Sequence, residues 1–243
     1  MREDRDAAAA PSATTGELVV VLPVLRRPHR VRPLLASLEA ATPEPHRTMF
    51  VGTAGDRPMI AEVEAAAVDF PNVTLEVLAP STTGDYARKV NHAYRVTSEP
   101  FLFLGADDLD FRPGWWPAAL RLFDDPQIGV VGTQDLAPTE RARTGEHATH
   151  VAVRRRYVDE LGTIDEPGKI LHEGYPHEYV DDELVGTAKH RGAWAFAFDS
   201  VVEHLHPSWG KAPRDPLYAR QRARMAAGQR LFLTRRRLWT ASK

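Results

Sequence analysis

The sequence predicts an α/β protein built on a mostly parallel, doubly wound sheet with helices on both faces. Two observations carry this. Short apolar runs recur through the first half of the chain without polar alternation, as strands buried on both faces require. Segments of helical periodicity separate those runs, and strand–helix alternation at this spacing is the pattern of βαβ units.

Each element follows in order. Leu18-Val19-Val20-Val21-Leu22 is the first strand and Pro23 closes it; after Pro28, the residues Val31, Leu34, Leu35 and Leu38 recur on one helical face. Met49-Phe50-Val51 is the second strand, ending at Gly52, and an Ala/Glu-rich helix runs from there to about Val68. Val73, Leu75 and Val77 alternate as a third strand, and Gly84 to about Val96 is the next helix. Phe101-Leu102-Phe103-Leu104 is the fourth strand and stops at Gly105-Ala106-Asp107-Asp108. Beyond about residue 130 the rhythm loosens. Residues 137–148 are polar and turn-rich, which predicts a mobile loop; 180–191 reads as a helix and Val201–Leu205 as a further strand. Ligands of such sheets bind at the carboxyl ends of the strands, which directs attention to the segments after Leu22, Val51, Leu78 and Leu104.

Composition narrows the function classes. The chain has 243 residues, 43% hydrophobic and 26% charged, ordinary values for a globular protein. It has no cysteine, so disulfide scaffolds, thiolate metal sites and cysteine nucleophiles are excluded. No run approaches 18 consecutive apolar residues, so no membrane span is expected. Residues 1–16 contain acids and lack a long apolar core; they read as a disordered leader, and the cytoplasm is the simplest location. The formal charge of −2 conceals an asymmetry: residues 211–243 carry ten Lys/Arg against Asp215, a net +9, leaving −11 on residues 1–210.

Three clusters have the residue types for chemistry. Asp107, Asp108 and Asp110 sit where an apolar strand ends, and hard divalent cations such as Mg²⁺ or Mn²⁺ take carboxylate oxygens together with substrate phosphates. The alternative is a solvated acidic turn capping the helix that starts near Pro113. His204 and His206 are two apart on a strand, hence on one face, and one neutral imidazole can complete an oxygen-rich metal site. Asp181, Asp182 and Glu183 open a helix. Acids there favour the helix dipole by about 0.3–1 kcal/mol each, but three in a row repel, which predicts a raised pKa suited to a general base. The chain contains no GxxxxGK[ST], no GxGxxG after the first strand, no GxSxG and no HExxH, which weighs against the phosphate-loop, dinucleotide, serine-hydrolase and zinc-protease readings.

The order strand–Pro23, strand–Asp56, Gly84-Asp85-Tyr86-Ala87-Arg88-Lys89-Val90-Asn91, Leu104-Gly105-Ala106-Asp107-Asp108 and Tyr179-Val180-Asp181-Asp182-Glu183-Leu184 resembles the GT-A glycosyltransferases over about residues 17–210. The likeness is to family 2, in particular to short forms encoded by bacteriophages of actinobacteria. It implies a hexosyl- or pentosyltransferase with a GT-A domain over 17–210 and a basic helical extension over 211–243. The resemblance places a nucleotide-sugar donor across the carboxyl edge of the sheet, with Pro23 and Asp56 near the nucleoside and Lys89 and Asn91 near ribose or phosphate. Asp107 and Asp108 match the family's metal-binding DXD position, with Gly105 where the pattern often has its first Asp, and His204 or His206 matches its late metal-binding histidine. Asp181, or Asp182 beside it, matches the base, while Trp115, Trp116 and Glu183 are candidates for the acceptor site. A hydroxylated DNA base or a virion protein is the acceptor this likeness suggests, in the host cytoplasm.

Two other readings compete. A nucleotidyltransferase or sugar-nucleotide pyrophosphorylase needs the same nucleotide fold and acidic ligands, but its glycine-rich opening loop is missing from Leu22-Pro23-Val24-Leu25-Arg26-Arg27. A non-catalytic nucleic-acid binder takes the tail as primary, since Arg220, Arg222, Arg224, Arg230 and Arg235–Arg237 interleave with Tyr218, Phe232 and Trp239. The same tail also suits packing against the body, with its arginine heads in water, or attachment to a membrane surface.

Overall fold

The computed structural model describes residues 17–214 and 221–241. The expected leader, 1–16, lies outside the described residues, as do Tyr218 and Arg220.

β1 (Leu18–Pro23), α1 (Val31–Ala41), β2 (His46–Thr53), α2 (Arg57–Asp69), β3 (Val73–Leu78), α3 (Asp85–Val96) and β4 (Phe101–Leu104) follow in the predicted alternation. They build a parallel half-sheet in the order β3-β2-β1-β4. The unbroken apolar run of β1 now has its reason. Leu18, Val20 and Leu22 join a core with Leu34 and Leu38 of α1 and Val63 of α2, while Val19 and Val21 point the other way, into a core with Ala87 and Val90 of α3.

Beyond β4 the sheet becomes mixed. The next elements are β5 (Leu109–Phe111), α4 (Trp115–Leu120), β6 (Val130–Gln134), α5 (Glu140–Arg143), β7 (Val151–Arg154), α6 (Arg155–Glu160), α7 (Val180–His190) and β8 (Trp194–His204). The whole sheet reads β3-β2-β1-β4-β7-β6-β8-β5. β7 runs antiparallel to both β4 and β6, and β5 antiparallel to β8, whereas β6 and β8 are parallel. Only residues 105–108 separate β4 from β5, too few for a parallel crossover. β5 therefore pairs with the end of β8 at the far edge. A register shift between Thr133 and Gln134 lets β8 leave β6 and continue to β5. The strand expected at Val201–Leu205 thus begins at Trp194.

The segment 137–148, expected as an irregular loop, contains a short helix and buried anchors. Thr139 caps α5 by accepting from Ala142 N at 3.3 Å, and Ala137, Ala142 and Ala148 are buried. Its anchoring positions are alanines, which a search for large apolar residues passes over.

Trp115 and Trp116 are core residues rather than a sugar platform. Both are buried; Trp115 Nε1 donates to Thr42 Oγ1 at 2.8 Å, and its ring lies 4.8 Å from Phe103 and 5.0 Å from Phe111. Two large rings entering a short helix over this sheet contribute most by burial.

α8 (Gln221–Arg235) and α9 (Leu238–Ala241) follow. Gly228 meets the loop before α7 so closely that a Cβ there would stand 2.4 Å from Glu178 O. Trp239 Nε1 donates to Thr187 Oγ1 of α7 at 3.1 Å. Arg235 is buried between Glu183 at 2.8 Å and Asp165 at 2.6 Å. These contacts hold the described part of the basic tail against α7.

Candidate active site

A cleft of about 550 Å³ opens at the carboxyl edge of β1 and β4, within the size range of small-molecule sites. Pro23, Asp107 and Asp108 from the strand ends, Lys89 from α3, Asp181 and Asp182 from α7, His204 and His206 from the end of β8, and Arg224 from α8 line it. It lies beyond two of the four strand ends singled out above, those of β1 and β4.

Asp107 and Asp108 are buried. Arg27 Nη1 lies 2.8 Å from Asp107 Oδ1 and 3.5 Å from Asp108 Oδ2, Arg30 lies 3.9 Å from Asp108, and His204 Nε2 lies 3.4 Å from Asp108 Oδ1. Burial, then the adjacent Asp108 charge, push the Asp107 carboxyl up to about 6 against the pull of Arg27. Burial also opposes ionisation of Asp108. There, however, the His204 hydrogen bond and the charges of His204, His150 and Arg27 prevail and hold it well below the usual carboxylate range. His150, beneath His204 with ring centroids 4.9 Å apart, is pushed down to about 4 by burial and then by the His204 charge.

These side chains have the donor types of a divalent-cation site, although the group whose ligand atoms converge within 4.8 Å among the described residues is His147, Asp181 and Asp182. Two carboxylates and one imidazole are the hard, mixed oxygen–nitrogen donors that Mn²⁺ or Mg²⁺ sites use. His204 Nδ1 is buried without a hydrogen-bond partner among the described residues, so its ring is not committed elsewhere through that atom. Asp110 stands apart. Flanked by the buried Leu109 and Phe111 on β5, it points the other way and pairs with Arg112 at 3.0 Å. His206 lines the cleft, but its Nδ1 accepts from Ser208 N at 3.1 Å.

The three acids of α7 separate by helical rotation of about 100° per residue. Asp181 and Asp182 face the cleft; Glu183 turns inward. Its carboxylate accepts from Tyr175 OH at 2.5 Å and from Arg235, so it buttresses α7 rather than meeting an acceptor. Asp181 Oδ2 lies 3.2 Å from His147 Nε2, and Asp182 Oδ1 lies 2.8 Å from Arg141 and 3.9 Å from His147 Nδ1. The ligand atoms of His147, Asp181 and Asp182 fall within 4.8 Å of one another. The predicted rise in pKa is not found at Asp181. Burial works in that direction, but the His147 hydrogen bond and charge, with backbone hydrogen bonds at the helix start, hold its carboxyl below the ordinary value. Each acid of the run has its own partner: His147 at Asp181, Arg141 at Asp182 and Arg235 at Glu183.

Lys89 Nζ is buried and donates to Val24 O at 2.9 Å, with Asp85 at 2.8 Å; burial holds its pKa below the usual lysine value. Asp56 Oδ2 accepts from Arg26 N at 2.6 Å, pinning the loop after β1 where Arg26 adopts φ 57°. Asn91 has a different role from the one expected. Its Oδ1 accepts from Ile170 N and Leu171 N at 3.0 and 3.1 Å, and its Nδ2 donates to Leu171 O at 2.8 Å. It saturates a buried loop, as a buried amide must. Gly84, one residue before α3, has φ +61° and lies where a Cβ would be 2.0 Å from Glu173 O, so that loop packs directly on the start of the helix.

Sequence reasoning missed Arg27, Arg141, His147 and His150. Arg27 follows a strand end and was identifiable by that rule; Arg141 and His150 reach the cleft, and His147 reaches Asp181 behind it, through the packing of 137–150.

No family model matches the chain, and no curated protein sequence matches it. Solved structures do match its fold. The chain is similar to a mannosyltransferase from Pyrobaculum calidifontis, solved with GDP-mannose and Mn²⁺, at 14% identity and TM-score 0.59 over 97% of this chain and 79% of that one. It is also similar to glucosyl-3-phosphoglycerate synthase from Mycobacterium tuberculosis, solved with Mn²⁺, UDP and glucosyl-3-phosphoglycerate, at 16% identity and TM-score 0.56 over 87% and 78% of the two chains. The same enzyme solved with Mg²⁺ and UDP matches at TM-score 0.54. This chain has the GT-A fold of those glycosyltransferases.

Proposed function

We propose that the chain is a metal-dependent glycosyltransferase that moves a sugar, with inversion, from a nucleotide-sugar donor to an acceptor hydroxyl. One observation carries the reading: a buried carboxylate pair with a histidine, suited to a divalent ion, and a second carboxylate pair on a helix start open into the same cleft at the sheet's carboxyl edge. The neighbours in fold were solved with GDP-mannose, UDP-glucose or UDP, and with Mn²⁺ or Mg²⁺, which supports a nucleoside diphosphate sugar here.

In this reading Asp107, Asp108 and His204 would hold the ion, which when bound stabilises negative charge on the departing nucleoside diphosphate. Asp181 takes the proton from the acceptor hydroxyl as that oxygen bonds to the anomeric carbon and the bond to the diphosphate oxygen breaks. Asp182 is held by Arg141, a guanidinium that neither gives up nor accepts a proton, which favours Asp181 as the base. Asp56 and Pro23 shape the nucleoside end, and Lys89 keeps the β1 loop in place.

The test is release of nucleoside diphosphate from a panel of UDP- and GDP-sugars with Mn²⁺ or Mg²⁺. Phosphorylated small molecules, hydroxymethylated DNA and virion protein serve as acceptors. Asp108→Asn should lose metal-dependent donor binding in calorimetry. Asp181→Asn should bind donor as the wild type does and lose turnover by about 10²–10⁴-fold. Release of pyrophosphate from a nucleoside triphosphate instead would assign the cleft to nucleotidyl transfer.

A further inference from the structure

β7 runs antiparallel to β4 and pairs Val151 with Leu104, so the start of β7 lies at the sheet edge where β4 delivers its acidic pair. The residue at that start is His150. Its carbonyl accepts from Thr133 N at 3.2 Å and from Thr133 Oγ1 at 3.0 Å, which clamps its backbone to β6. His150 is only 3% exposed and lines the cleft, and its ring meets that of His204 edge to face, with centroids 4.9 Å apart. The two ring nitrogens differ. Nδ1 lies 3.2 Å from Leu104 O, and a carbonyl only accepts, so Nδ1 carries the hydrogen of that contact. Nε2 is buried with no hydrogen-bond partner among the described residues.

A second proton, on Nε2, would have no acceptor there; without it, Nε2 presents a lone pair. Leaving a buried acceptor unpaired is costly, so a lone pair on so firmly held a residue calls for a ligand. An imidazole that donates one N–H to a backbone carbonyl and offers its other nitrogen has the arrangement of metal-ligating histidines. The ring it touches is His204, whose Nε2 lies 3.4 Å from Asp108 Oδ1. We propose that His150 is a further ligand of the cation site through Nε2, giving that site two imidazoles beside its carboxylate pair and a preference for Mn²⁺ over Mg²⁺. This proposal rests on the reading of Asp107, Asp108 and His204 as the cation site. Mg²⁺ is a hard ion that takes oxygen ligands, whereas imidazole nitrogen suits first-row transition ions. A second imidazole therefore adds to the affinity for Mn²⁺ and little to that for Mg²⁺.

The experiment is binding of Mn²⁺ alone to the full chain, read by pulsed electron paramagnetic resonance and by calorimetry, with Mg²⁺ affinity measured in parallel. Each imidazole nitrogen bound to Mn²⁺ modulates the spin echo, so coordinated histidines are counted directly. The wild type should show two, a result that needs no variant to fold. His150→Asn can still donate an amide N–H to Leu104 O but has no counterpart of Nε2. It should show one nitrogen, with Mn²⁺ affinity lowered about tenfold to a hundredfold and Mg²⁺ affinity nearly unchanged. A wild type with a single coordinated imidazole would overturn the proposal, as would a His150→Asn variant with the wild type's nitrogen count and ion preference. So would a nitrogen lost in His147→Asn rather than in His150→Asn, which would place the ion at the group of His147, Asp181 and Asp182. A wild type that binds no Mn²⁺ would instead overturn the cation site itself.

Discussion

Asp107 and Asp108 are neighbours in sequence whose carboxyl pKa values move in opposite directions: burial and the Asp108 charge prevail over Arg27 at Asp107, whereas at Asp108 the His204 hydrogen bond and the surrounding positive charges prevail over burial. This difference predicts how metal binding responds to acid. A cation needs both carboxylates ionised and therefore competes with the proton on Asp107. Affinity for Mn²⁺ should be roughly constant above neutral pH and fall as pH drops through about 6, with proton release on binding that grows over the same range. Calorimetry in two buffers of different ionisation enthalpy measures both. Affinity independent of pH between 5 and 8 would remove Asp107 from the ligand set. In the metal-free protein the linkage has the opposite sense: because the folded pKa of Asp107 is raised, acidification through about 6 adds stability from this group. Only part of this was legible in sequence. The acidic pair at a strand end is a local pattern, whereas the side chain that distinguishes its two members, His204, comes from the end of β8, far along the chain.

At the scale of elements, the parallel half-sheet was readable because each strand is a continuous apolar run buried on both faces. β6 and β7 were not: each is a run of a few residues in the mixed half, where antiparallel pairing removes the regular crossover helices. The start of α7 was readable as a helix, but its three acids were not separable in role. Rotation sends Glu183 into the core, where its partner Arg235 arrives 52 residues later. Breaking that buried pair from one side leaves an uncompensated charge. Arg235→Met should therefore destabilise the fold by about 3–5 kcal/mol in urea unfolding, while the folded fraction keeps its donor affinity. Arg235→Met combined with Glu183→Leu should recover a large part of the loss, since well-packed apolar replacements of a buried pair are often neutral. An Arg235→Met variant as stable as the wild type would show that the contact contributes nothing.

For the whole molecule, the opposed charges of body and tail acquire a structural meaning. Arg224 meets Glu178 at 3.1 Å and Arg235 meets Glu183 and Asp165, so part of the tail's basicity compensates acids on and beside α7. α8 thereby brings Arg224 and Met225 into the cleft wall. None of the helices among the described residues is long and apolar enough to cross a membrane. Sugar transfer in this cleft, as proposed, requires an acidic metal site and Asp181. The most direct measurement is nucleoside diphosphate release with Mn²⁺, a nucleotide sugar and acceptor, comparing the wild type with Asp181→Asn while donor binding is followed by calorimetry. The expected result is equal donor binding with turnover confined to the wild type. Equal turnover by the two proteins, or a wild type that binds no nucleotide sugar, would contradict it.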